Sequence, residues 1–527
     1  MTSGFSWLTL VLLIPVIGAL AILCTPRREV WLIKTFALIT ALATGFVVLG
    51  LLLNFSQATV TGSPISFRYV ENVQWLPQIG ASYRLGLDGL SAWFLALNAV
   101  VFLLGVVVAM VRGIDRPKLF FGLLILTEAA TAGVILSTDL LLFYLFWEGM
   151  LLPLYFLLSS FGNEKRHRAT IKFIGYTVAG SLLMLLAIIY LHTQAGGSFN
   201  YEAIAARQTT GQSVVTVPGL GWRLLTPDQF AFLAFALAFA IKVPLVPFHT
   251  WLPDLYESLP ASGLTFFAGI VSKLGIYGFI RYAMTLFPHA MHDFQGLLLV
   301  LALVSILYGA FMALQEVDIK RIVAYSSISH LGFISLGVFA MTVIGLHGAI
   351  LQVINHGIII AALFIIMEFI EVRTGTRDRA LMSGLEKAMP WMYFLFMITA
   401  LAALGMPGLN GFAGEFMIML GAFEANWILA VVAGIGVVLA AWYMLRLHQG
   451  LMHDPLHKGT KEGIADLRLP ERWVLIPLCA LMIVLGLFPN IVGQLDQGSV
   501  QQYITTSHTQ HASAITSPTQ MSHEVHA

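Results

Sequence analysis

Apolar residues run along this chain in blocks of 18 or more, separated by short stretches where charge, proline or polar residues collect. A bilayer core about 30 Å thick takes roughly 20 residues of helix to cross, so each block is long enough to span it. Fourteen spans are predicted, near residues 5–24, 31–54, 88–111, 119–137, 139–162, 171–193, 228–248, 262–286, 295–315, 321–341, 343–370, 389–424, 427–448 and 473–493. The pattern therefore predicts an all-α polytopic membrane protein. The first block has neither a basic flank nor a small-residue cleavage site, and reads as a retained helix and not as a signal peptide.

Composition points the same way. Of 527 residues, 58% are apolar and 10% charged, where a soluble chain carries about 25% charged residues. One membrane domain is expected, although the length alone would suggest several soluble ones. Lys and Arg number 28 against 27 Asp and Glu, a net charge of +1, which is not the footprint of a nucleic-acid binder. Cys24 and Cys479, far apart in apolar runs, cannot by themselves hold an iron–sulfur cluster, a c-type haem or a Cys-rich zinc site. There is no Walker A pattern and no GxGxxG after a strand. No cofactor or metal is expected in this chain.

The placement of charge is more telling than its total. Loops after odd-numbered helices, with the adjoining helix ends, hold 21 basic residues, whereas loops after even-numbered helices hold five: Arg68, Arg84, Arg207, Arg223 and Arg281. By the positive-inside rule both termini should face away from the cytoplasm. The tail from about 495, rich in Ser, Thr, Gln and His, is expected to be disordered. Its imidazoles, at His508, His511, His523 and His526, have no ordered frame to make a metal site.

The two remaining basic residues, Lys242 and Lys273, fall inside spans. A charge at a helix centre costs about 2.5–3.5 kcal/mol on insertion scales, so such residues are functional candidates. They are joined by Glu148 in LFWEGMLLPLYFL, His330, His356 and Glu415. Glu128, in ILTEAATAG, either extends this row or pairs with a polar neighbour. His347 reads as a core or interfacial histidine, and Glu368, Glu371 and Glu424, near helix ends, as solvated or snorkelling.

Two spans are interrupted. Pro244 and Pro247 follow Lys242, and Pro407 and three glycines precede Glu415 in LGMPGLNGFAGEF. Broken backbone at membrane depth needs protein or water to satisfy it, so each break is expected beside a hydrated pocket. The breaks lie five spans apart. That predicts two inverted five-helix repeats, residues 119–286 and 287–450, after three N-terminal helices with an extracytoplasmic loop (1–118) and before a cytoplasmic loop with a last helix (451–494) and the polar tail (495–527). Inverted repeats of this kind characterise ion transporters.

Burial disfavours a charged lysine and a nearby carboxylate favours it, so movement of Glu148 relative to Lys242 would switch proton holding and release. Lys273 would take the proton on, His330 and His356 would relay it through ordered water, and Glu415 would pass it to the exit side. Moving each charge uphill costs about 2.3 kcal/mol per 100 mV, and nothing in the chain supplies it.

Several long motifs in order, LGLDGLS at 85–91, DLLLFYLFWEGMLLPLYFL, IKVPLVPFHTWLPD, DIKRIVAYSSISHLGF and LGMPGLNGFAGEFMI, resemble the antiporter-like subunits of respiratory complex I, specifically the subunit M family of NADH-quinone oxidoreductase. The resemblance implies 14 helices with inverted repeats, a polar axis along the membrane, and proton translocation driven by quinone reduction in other subunits of a bacterial inner-membrane complex. It implies partners: antiporter-like subunits L and N, smaller membrane subunits K, J, A and H, and a peripheral redox arm carrying FMN and iron–sulfur clusters that delivers electrons to quinone. It carries proton-translocating roles onto Glu148, Lys242, Lys273, His330, His356 and Glu415. Glu415 favours subunit M, since the sister subunits and sodium/proton antiporters usually look like having Lys there.

One departure bears on proton uptake. After WLPD the family usually reads AHxxAP, whereas this chain reads LYESLP, leaving Tyr256, Glu257 or the retained His249 as substitutes. The competing readings are a sodium/proton antiporter subunit, a ferredoxin- or hydrogenase-linked relative of complex I, and an inert scaffold.

Overall fold

The structure, a computed structural model, describes residues 6–55, 67–206, 225–453, 455, 464–493 and 498–505. The four tail histidines, Arg207, Arg223, Lys458 and Lys461 lie outside the described residues. Among the described residues, twelve helices are long and apolar enough to cross a membrane. They are α1 (Trp7–Cys24), α2 (Val30–Leu53), α3 (Gly89–Arg112), α4 (Pro117–Leu136), α5 (Leu140–Ser160), α6 (Arg166–Gln194), α9 (Ala261–Leu286), α10 (Gln295–Gln315), α11 (Ile319–Phe339), α12 (Val343–Thr374), α15 (Trp427–Met452) and α16 (Leu469–Leu487). Of the two blocks predicted to be interrupted, the first forms α7 (Pro227–Lys242), with the short α8 (Trp251–Ser258) beyond its predicted end at 248, and the second forms α13 (Pro390–Ala403) with α14 (Asn410–Ala425). The loop between α2 and α3 departs from the all-α expectation. It folds as an antiparallel hairpin of β1 (Tyr69–Leu76) and β2 (Ala81–Leu87), with Asn72 opposite Arg84.

Short polar side chains start the helices. Asp88 and Ser91 form a capping box at α3, Asp139 accepts from two amides of α5, and Asp318 does the same at α11, satisfying donors that a helix N-terminus leaves open. The apolar windows of α9, α11 and α12 are buried throughout, against 28% of that of α15. These three helices form the interior of the bundle, and they carry Lys273, His330 and His356. Close approach depends on small residues: a Cβ at Gly309 of α10 would lie 2.6 Å from the Ser329 amide of α11, and one at Gly332 of α11 would lie 2.8 Å from the Ile306 amide of α10. Helices in lipid associate through such contacts because the solvent is as apolar as the side chains.

Protein groups bond backbone at both breaks. At the first, the Trp251 indole donates to the Ile241 carbonyl at 3.0 Å and Ser305 Oγ accepts from the Val246 amide at 2.9 Å. At the second, the Asn355 side chain donates to the Asn410 carbonyl at 2.7 Å.

Three expectations change. Arg281, grouped with the loop residues, is fully buried within α9 and paired with Asp88, because its guanidinium finds a carboxylate and two tyrosine hydroxyls there. Glu368, expected to be solvated, is buried; it pairs with Arg112 at 3.2 Å and accepts from the Ala261 amide. The tail is not irregular from 495 onward: residues 498–505 are helical, and Tyr503 is buried with its hydroxyl donating to Asp88 at 2.8 Å.

Candidate functional site

Lys242 is the last residue of α7 and is buried. Its ammonium lies over the rings of Trp147 and Phe173 at 5.3 and 5.2 Å and makes no hydrogen bond. Glu148, on α5, is half-buried and within electrostatic reach of it. The Lys242 ammonium thus sits in an aromatic cradle, in which cation–π attraction offsets part of the lost hydration. Pro244 lies just past the end of α7 at Lys242. It ends the helix, since proline offers no donor to continue the ladder.

Lys273 lies in a short 3-10 stretch, Val271–Lys273, within α9. It is fully buried and its ammonium donates to the Ala268 carbonyl. His356 on α12 is within electrostatic reach of Lys273, and its ring centroid is 5.4 Å from that of His330. Both nitrogens of His356 are buried without a hydrogen bond. His330 Nδ1 lies 2.8 Å from Glu415 Oε1, and its Nε2 lies 3.3 Å from the Tyr443 hydroxyl. Gln352 donates to the same Glu415 oxygen at 3.2 Å. With Nδ1 donating to Glu415, Nε2 accepts from Tyr443, so the imidazole joins a carboxylate to a phenol and can exchange a proton with either.

The remaining candidates are less connected. Glu128 is fully buried and neither carboxylate oxygen has a hydrogen-bond partner. His249 is buried with its ring 4.8 Å from that of Tyr308 and its Nδ1 unbonded. Pro407 is exposed, in a turn whose Gly405 and Gly408 take φ of 77° and 91°. Of the possible substitutes in LYESLP, Tyr256 is buried near Ser272 and Ser327 without hydrogen-bonding either. Glu257 faces the opposite way, into a cluster with Lys165 at 2.8 Å, Arg321 at 3.2 Å and Arg377 at 3.6 Å.

Sequence reasoning missed Tyr443 and Gln352. Gln352 and Asn355 precede His356 by four and one positions on α12, so Gln352 shares its face, and that spacing was a usable signal. Tyr443, a lone phenol in an apolar run, gave none. Among the described residues no three His, Cys, Asp or Glu side chains are gathered as a metal ion would require.

The long apolar helices, the two broken ones and a buried file of acids, lysines and imidazoles define an antiporter-like membrane subunit. Residues 137–440 match the family model described as NADH:quinone oxidoreductase/Mrp antiporter, TM. NADH-quinone oxidoreductase subunit M of Mycobacterium tuberculosis is 34% identical over 96% of this chain and 95% of its own length, and that of Rhodobacter capsulatus 35% identical over 90% and 91%. A chain of the respiratory complex I structure from Thermus thermophilus with bound NADH superposes with a TM-score of 0.83 at 32% identity, covering 95% of this chain and 99% of that one. A chain of the Mrp complex from Dietzia superposes with a TM-score of 0.78 at 24% identity over 96% and 98%, a likeness of fold alone. This chain belongs to the NADH-quinone oxidoreductase (complex I) subunit M family. It is a proton-translocating subunit of a complex I-like NADH:quinone oxidoreductase, a multi-pass bacterial membrane protein within a multi-subunit complex.

Proposed function

We propose that protons cross this subunit along Glu148, Lys242, Lys273, His356, His330 and Glu415, with Tyr256 and His249 serving uptake in place of the missing AHxxAP histidine. In this reading the helices make 14 crossings as two inverted repeats, residues 119–286 and 287–450, with both termini on the extracytoplasmic side of the bacterial inner membrane. Electrons pass through FMN, iron–sulfur clusters and quinone in partner subunits, and neighbouring antiporter-like subunits L and N flank this one, with K, J, A and H completing the membrane arm.

The observation that carries the reading is the hydrogen-bonded group of Glu415, His330 and Tyr443 with His356 beside it, buried in the middle of the bundle. Glu148, Lys242 and His356 of this file, and Gln352 beside Glu415, carry buried polar atoms without a hydrogen bond, and buried polar atoms of this kind are normally satisfied by ordered water. The test is Lys242→Ala and Glu148→Ala in the intact complex, measuring proton pumping in vesicles beside quinone reductase activity. Pumping should be lost from assembled complexes. Unaltered pumping per electron pair in both variants would overturn the assignment.

A further inference from the structure

A cavity of about 760 Å³ opens where the loop after α12 meets the C-terminal end of α15. It is lined by Arg379 and Arg446, with Gln449 and Trp442 beside them. The two arginines are close enough for their charges to repel, and among the described residues neither guanidinium has a carboxylate partner at ion-pair distance. Asp378, the adjacent acid, is turned away in part, its Oδ1 accepting from the Ala380 amide at 2.9 Å. Burial and Arg446 both weaken Arg379's hold on its proton, and Asp378 opposes them. Arg446 is anchored by a 3.4 Å hydrogen bond to the Leu314 carbonyl and is exposed.

Below this basic mouth runs an apolar strip. Val438, Trp442, Leu445 and Gln449 follow one another by three or four positions on α15 and so share one face. Val438, Trp442 and Leu445 are 67%, 59% and 40% exposed. Two unpaired arginines above an exposed aliphatic and aromatic strip match an amphiphile with an anionic head and apolar tails. A free anion would use only the upper part, and a protein neighbour would have to bury two like charges.

We propose that Arg379 and Arg446 hold the phosphate of an anionic phospholipid whose acyl chains lie along Trp442, Leu445 and Val438. Gln449 supplies a further hydrogen bond to the head. Basic pockets between membrane helices bind such heads.

The test uses the purified intact complex in mixed micelles with a phosphatidylglycerol probe bearing an acyl-chain diazirine, crosslinked and mapped by peptide mass spectrometry. Labelling is expected on residues 435–446, competed by unlabelled phosphatidylglycerol and not by phosphatidylcholine or inorganic phosphate. Arg379→Gln and Arg446→Gln should each lower it about fivefold, while Arg446→Lys, which keeps the charge, retains most of it. Equal labelling by a zwitterionic probe, or labelling unchanged in an assembled double Gln variant, would overturn the proposal. Competition by inorganic phosphate would assign the arginines to a soluble anion. Absence of labelling here while other outer faces are labelled would assign the strip to a neighbouring subunit. Either result also overturns it.

Discussion

Asp88 and Arg281, 193 residues apart in the chain, meet as a parallel two-bond pair: Nη1 donates to Oδ2 at 2.8 Å and Nη2 to Oδ1 at 2.5 Å, both side chains being fully buried. Arg281 and the Ser91 capping bonds supply the buried Asp88 carboxylate with its partners. Tyr503 and Tyr277 complete the guanidinium's partners, tying the segment 498–505 to α3 and α9. Arg281→Met leaves Asp88 charged and uncompensated, a loss of about 3–5 kcal/mol. The expected outcome is poor assembly into the complex and a lowered thermal midpoint, partly restored by adding Asp88→Asn. Wild-type stability in the single variant would show that the pair holds nothing together.

The cluster around Glu257 gives a pH dependence outside the membrane spans. Burial pushes this carboxyl up, yet Lys165 and Arg321 outweigh it and hold the group below its ordinary value of 4.5. A depressed folded-state value means that the stabilisation is fully present above about pH 4.5 and is lost as pH falls through the folded value. Asp318 in the same cluster is raised, chiefly by burial, and acts in the opposite direction. The stability gap between wild type and Glu257→Gln should therefore be widest near neutral pH and close on acidification below 4.5. A gap independent of pH, read from melting of the purified complex at a series of pH values, would remove Glu257 as the titrating member.

Much of this architecture was readable from periodicity and cost. Among the described residues the apolar blocks reappear as twelve long helices and two pairs of shorter ones because span length is set by the bilayer and not by tertiary detail. Lys242, Lys273, His330, His356 and Glu415 stood out since a polar group in hydrocarbon must be compensated somewhere. What compensates each was not readable. The aromatic cradle of Lys242 draws Trp147 from α5 and Phe173 from α6, and the link from His330 to Tyr443 joins α11 to α15. Such pairings depend on how helices sit side by side. Arg281 was misplaced for a related reason: its partner Asp88 looks like a simple helix cap until α3 and α9 are seen together.

Trp251→Phe isolates the contribution of one hydrogen bond to the first break. The indole N–H satisfies the Ile241 carbonyl at 3.0 Å, and its ring packs on Phe173, which also faces Lys242. Phenylalanine keeps most of the apolar contact and removes the donor, so a buried carbonyl is left open at a cost of about 1–3 kcal/mol. Hydrogen exchange at residues 240–246 should quicken relative to α9, with assembly preserved. Unchanged exchange would mean that the break is held by the Val246–Ser305 bond instead.

Gly405 offers the sharpest test at the second break. Its φ of 77° favours glycine, and a Cβ there would lie 2.9 Å from Glu415 Oε2. Alanine would cost about 1–2 kcal/mol in backbone strain, and its methyl would push on the carboxylate that holds His330 Nδ1 at 2.8 Å. The turn is exposed and should tolerate the strain without loss of assembly. Gly405→Ala is therefore expected to keep quinone reductase activity while lowering protons moved per electron pair. Glu415→Asp, which withdraws the carboxylate by one methylene, should relieve the crowding without restoring the reach to His330. The two substitutions together are then expected to pump no better than Glu415→Asp alone. If the pair instead recovers wild-type pumping, distance between Glu415 and His330 is not what limits transfer. The deficit of Gly405→Ala would then lie in the crowding of the carboxylate that Glu415→Asp relieves.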